Sequence, residues 1–105
     1  MGHVVWTDPA IEDLQEIMDF IARDSAQYAL RTGERIYDAA GRLSHGIRTG
    51  SIVPEFDVDH FREVLMYPYR IVYEIRGEVC YIVAVIHGSR DLARHVQPSR
   101  PPTDE

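Results

Sequence analysis

Arg70, His87 and Arg90 are the residues of this sequence best suited to joint chemistry. A guanidinium holds a phosphate through paired N–H donors and stabilises charge that develops on it, while an imidazole can move a proton near neutral pH. Whether they meet is a question of strand register. Gly77-Glu78 separates two strand-like runs and has glycine at the first central position, as a two-residue type II′ hairpin prefers. That loop pairs Arg76 with Val79, hence Arg70 with Val85 and Pro68 with His87, so Arg70 and His87 become diagonal neighbours on one face. A slip of one residue would send them to opposite faces, because strand side chains alternate. In the favourable register Arg90, from the following turn, can converge with them on a phosphate, and Glu63 can join if the neighbouring strand aligns. The competing reading is structural. A strand arginine is commonly solvated or ion-paired, here with Glu74 as a candidate partner, and His87 can be a hydrogen-bonded strand-end residue. His45, His60 and His95 are not candidates.

Other chemistries are thinly represented. There is no HExxH, CxxC, glycine-rich phosphate loop or GxSxG, so neither a metal nor a nucleotide cofactor is expected. Cys80 is the single cysteine, which excludes an internal disulfide and a thiolate zinc site within one chain. All 11 basic residues are arginine, and the absence of lysine excludes Schiff-base and lysine-base mechanisms. Residues 1–60 hold 5 arginines against 11 acids, so the first part of the chain carries the whole net charge of −6. That balance opposes general attraction to nucleic acid, and any such contact needs a local basic site.

The elements that must position these residues are legible from periodicity. The 105 residues suit one domain, with 45% hydrophobic and 27% charged residues at the globular average. No run approaches the roughly 20 apolar residues of a membrane helix, and no signal-peptide pattern opens the chain, so a cytoplasmic protein without membrane contact is expected. Val4-Val5-Trp6 reads as a strand, and Asp8-Pro9 as a helix start with Asp8 capping. Ile11, Leu14, Ile17, Met18 and Ile21 form an apolar stripe to about Arg23, with the acids, Asp13 among them, largely on the solvated side. Asp24-Ser25 offers a new cap, after which Ala29, Gly33, Ile36, Ala40 and Leu43 mark a second helix to Gly46. Gly33 and Gly41 predict close helix-to-helix approach as compensation for their cost. Residues 46–60 read as a loop, then strands are expected near 61–67, 69–76 and 79–87, with a reversal or bulge at Tyr67-Pro68-Tyr69. Residues 89–96 can form a turn or two of helix. The expectation is an α+β fold, an N-terminal strand and an antiparallel helical hairpin packed on a mainly antiparallel sheet, as one domain over 1–96 with a proline-rich tail over 97–105.

This order, together with WTDPAIEDLQEIMDFIARDS, REVLMYPYRIVYEI and VIHGSRDL, resembles the RelE/ParE superfamily of toxins from bacterial type II toxin-antitoxin systems across about residues 4–92. The best-marked pieces are Tyr69-Arg70-Ile71-Val72-Tyr73 and the apolar strand ending in His87 and Arg90. The resemblance implies a small cytosolic toxin held inactive by an antitoxin encoded beside it. It implies one of two targets: DNA gyrase for ParE-like members, or messenger RNA in the ribosome for RelE-like members. In the second, Arg70, His87 and Arg90 match catalytic positions, and only then is the chain an enzyme. The helical hairpin, the HGSRDL ending and the acidic balance favour the ParE-like branch. A third reading is a non-toxic antitoxin-binding module. Apolar surface near Phe56, Phe61 and Tyr67 is expected to need a cover, from an antitoxin or from a second copy in a homodimer.

Overall fold

The computed structural model describes residues 2–88 and 90–96, and the proline-rich tail lies outside the described residues. Strand β1 (His3–Trp6) leads into helices α1 (Asp8–Ala22) and α2 (Ala26–Gly41), and a 3₁₀ turn (Arg42–His45) extends the second. There follow β2 (Ser51–Ile52), β3 (Phe61–Met66), β4 (Tyr69–Arg76), β5 (Val79–His87) and α3 (Leu92–His95). One five-stranded sheet has the order β1-β5-β4-β3-β2, antiparallel except where β1 runs parallel to β5. The α+β class and the helical hairpin packed on the sheet are as the sequence indicates.

Local chemistry explains the boundaries. Thr7, one residue earlier than expected, caps α1: its Oγ1 accepts from the Ala10 N–H and donates to the Ile82 carbonyl at 2.7 Å, joining the helix start to β5. Ser25 caps α2 through the Tyr28 N–H. The small-residue stripe of α2 is buried, and a Cβ on Gly33 would lie 2.5 Å from Met18 Sδ, so this glycine admits α1 at close range. Gly41 does not: nothing lies within 4 Å of a Cβ there, and its φ of −61° suits any residue. Gly41→Ala is therefore expected to stabilise the chain by about 0.5–1 kcal/mol, read as a raised thermal midpoint.

Both faces of the sheet are covered. On the helical face Ile71, Tyr73, Ile75, Cys80, Ile82 and Val85 pack against Ala10, Ile36, Ala40 and Leu43. Burial pushes the Cys80 thiol up to about 12, which leaves it inert. On the other face Val72, Ala84 and Ile86 meet Phe61, Val53 and Leu92, so residues 46–60 are more than a connector. Within that span β2 pairs Ser51 with Glu63 and Ile52 with Arg62, a short edge strand the sequence reading left out. Arg62 fixes the span by donating to the Asp59, Arg48 and Gly50 carbonyls and pairing with the Asp59 carboxylate at 2.6 Å.

The β4–β5 register departs from a simple hairpin. From the Gly77-Glu78 turn, where Gly77 has φ of 61°, pairs run Arg76↔Val79 to Tyr73↔Ile82, and then Val72 faces Ala84. Val83 is an extra residue on β5, a β-bulge that re-aims everything beyond it.

Candidate functional site

The bulge decides which candidates meet. Arg70 lies opposite Ile86 and His87 opposite Tyr69, so Arg70 points to the face away from the helices while His87 shares the helical face with Tyr69. The register that would have made Arg70 and His87 neighbours on one face therefore holds only from the turn to Tyr73.

Arg70 is 9% exposed, and each of its three guanidinium nitrogens donates to a carboxylate. Its Nε donates to Glu63 Oε1, and its two terminal nitrogens donate in parallel to both oxygens of Glu55, all at 2.7 Å. The fork-to-fork pair with Glu55 is the geometry in which a guanidinium would otherwise hold a phosphate. Hydrogen bonds from Arg70 hold the Glu55 carboxyl below its ordinary range, against a smaller opposing effect of burial. The same bonds, those to Glu55 first, raise the guanidinium above its own already high value, so it is charged throughout. Glu74, expected as the partner, instead lies 3.5 Å from Arg76. Glu63 does join Arg70, through the β3–β4 alignment in which Glu63 faces Val72 and Leu65 faces Arg70.

His87 and Arg90 line a depression of about 360 Å³ between α1, the end of β5 and α3, together with Asp13, Tyr69, Phe20 and His95. Tyr69 and His87 meet edge to face with ring centroids 6.0 Å apart, and burial raises the Tyr69 phenol above its ordinary value, which keeps it protonated. Arg90 pairs with no carboxylate among the described residues. This arrangement offers a cation, an imidazole and a phenol at one surface, and His87 and Tyr69 also border, with Arg70, a second groove at the end of the sheet.

One residue here was passed over in the sequence. Asp13, read as part of a solvated acidic face, has a side chain only 11% exposed; its Oδ2 accepts the Val85 N–H at 3.0 Å and lies 2.9 Å from His95 Nε2. It supplies an acceptor to β5 where β1 has ended, and it ties α3 to α1. The signal was its spacing, three residues after buried Ala10 and four before Ile17, which puts it at the margin of the apolar stripe. Asp13→Ala leaves the Val85 N–H without its acceptor and is expected to cost about 1–3 kcal/mol in a denaturant titration, with faster amide exchange at Val85. No group of three or more His, Cys, Asp or Glu among the described residues could hold a metal ion.

The arrangement of these elements is that of a known toxin fold. A solved structure described as the chromosomal ParDE toxin-antitoxin system from P. aeruginosa superposes with a TM-score of 0.70 at 21% identity, covering 83% of this chain and 96% of that one. A family model described as the ParE toxin of the type II toxin-antitoxin system parDE matches residues 4–92. Toxin RelE2 of Caulobacter vibrioides is 33% identical over 91 residues, covering 86% of this chain and 99% of the relative. The chain belongs to the ParE toxin family, within the RelE/ParE superfamily of type II toxin-antitoxin systems.

Proposed function

We propose that this toxin acts in the cytoplasm on DNA gyrase and is held inactive by a cognate antitoxin. The observation that carries the choice of target is the state of Arg70. A ribosome-dependent ribonuclease of the kind expected from the sequence needs Arg70 free to hold a phosphate beside His87; here the two residues border one groove, but Arg70 is held by Glu55 and Glu63. The net charge of −6 adds to this, since a ribosomal nuclease must approach a densely anionic surface. No helix among the described residues is long and apolar enough to cross a membrane. The antitoxin reading draws on the family and on the exposed Leu65 and Tyr67; Phe61, expected to need a cover, is already buried under Phe56 and residues 53–60.

The test is purified protein in excess over gyrase with relaxed plasmid, where supercoiling is expected to stop. Unaffected supercoiling sinks the proposal. In cells, induced expression without antitoxin is expected to halt DNA synthesis before protein synthesis.

The ribonuclease reading keeps one specific support, the shared depression of His87, Arg90 and Tyr69. There Arg90 would hold the phosphate and His87 would move the proton. His87→Ala separates the two: as an exposed strand-end substitution it is expected to leave growth inhibition undiminished, and cleaved messages that vanish in this variant would favour the nuclease.

A further inference from the structure

Pro54 and Glu55, the β3–β4 hairpin and His87 and Gly88 at the end of β5 line a groove of about 650 Å³. Its rim is apolar and open: Leu65 is 68% and Tyr67 92% exposed, with Pro54 and Pro68 beside them. Its floor is ionic, one guanidinium between two carboxylates, and so has an excess of one negative charge. Three of the five N–H donors of Arg70 are bound to these carboxylates, whose combined charge exceeds that of the guanidinium, so the floor disfavours an incoming anion. Glu55 is different. Its side chain is 35% exposed, and the two bonds it accepts from Arg70 leave about half of a carboxylate's lone-pair positions open.

The backbone bordering the groove is also open. β2 pairs with Arg62 and Glu63, so among the described residues the outer edge of β3 from Val64 to Met66 has no strand beside it, and Leu65 on that edge lies directly opposite Arg70. An unpaired strand edge can take an extended chain by main-chain hydrogen bonding, with alternate side chains directed to the sheet face.

We propose that this groove receives an extended peptide segment of a partner protein, in which an arginine or lysine lies between apolar residues. The cation sits against Glu55, and its apolar neighbours cover Leu65 and Tyr67. A nucleic-acid phosphate would face two carboxylates in the same place. That the partner is the antitoxin rests on the reading above; the chemistry of the segment rests on the groove alone.

The test pans short random peptides displayed on phage against the full chain, with no gyrase or antitoxin present, so its failure is separate from failure of the target reading. The enriched peptides are expected to share a basic residue flanked by apolar ones. They should bind Glu55→Gln and Leu65→Asp roughly tenfold more weakly, and Tyr37→Ser, on the helical layer, as tightly as the parent. Leu65 and Glu55 are exposed enough for both variants to fold, which matched thermal melts will verify. Enrichment of peptides without a basic residue, binding indifferent to both groove substitutions, or no enrichment at all would overturn the proposal.

Discussion

Arg70→Met is expected to lower stability by about 3 kcal/mol, because it leaves two carboxylates facing each other with no cation between them. Glu63 has a side chain only 10% exposed, so water cannot take over the role of the guanidinium. For a domain near this size the thermal midpoint should fall by more than about 10 °C. Arg70→Lys should recover only part of the loss, since an ammonium cannot serve Glu55 and Glu63 at once with the planar fork seen here. The diagnostic variant is Arg70→Met with Glu55→Gln and Glu63→Gln, which removes the repulsion and should regain most of the midpoint. A midpoint for Arg70→Met within a degree or two of the parent would show that the ion pairs contribute little. The pH dependence has a definite sign. The Glu55 carboxyl is held below its ordinary value of 4.5 in the folded chain, so its contribution is complete above that value and is lost as pH falls further, through the folded-state value. Acid should therefore destabilise the parent more steeply than Glu55→Gln over that range.

The reason Arg70 was open to two readings in the sequence is physical. Helices announced themselves through stripes such as Ala29, Gly33, Ile36, Ala40 and Leu43, every one of which is buried. The strands other than β2 announced themselves through β-branched and aromatic runs, and their boundaries fall within a residue of the expected ones. Register did not. On β5 the run Ile82-Val83-Ala84-Val85-Ile86 is apolar throughout because both sheet faces are covered, so no alternation reveals that Val83 is surplus. A bulge in a strand buried on one side would have left a break in the polar pattern. Here the consequence is that Arg70 and His87 leave the sheet on opposite faces and meet only at the border of one groove, so the choice between the two target readings turns on the carboxylates that hold Arg70. The partners of Arg70 were hidden for a second reason. Glu55 belongs to a span with irregular spacing, and only the tertiary placement of Val53 and Phe56 on the sheet brings it within reach.

That placement depends on a clamp whose loss should have the second large effect. The Tyr73 hydroxyl accepts the Gly50 N–H at 3.0 Å and donates to the Ile47 carbonyl at 2.7 Å, so one buried side chain fixes the segment that enters β2. Burial raises the phenol above its ordinary value, which keeps this donor protonated in alkaline solution as well. Tyr73→Phe removes one partner from each of two main-chain groups, and the expected cost is about 2–4 kcal/mol. Gly50→Ala attacks the same joint from the other side: a Cβ there would lie 2.5 Å from the Glu63 carbonyl oxygen and 2.6 Å from the Tyr73 hydroxyl, and the carbonyl belongs to β3 and cannot swing away. Its expected cost is about 1–3 kcal/mol. The two changes should not add, since either one releases the same segment. Because β2 leads directly into Val53, Pro54 and Glu55, release of the clamp should also loosen the hold of Glu55 on Arg70. Hydrogen exchange provides the measurement: in Tyr73→Phe the amides of Gly50 and Val53 should lose protection while those of β5 keep theirs. Unchanged protection at Gly50 would mean that β2 pairing alone holds the segment, and the path from Tyr73 to Glu55 would then not exist.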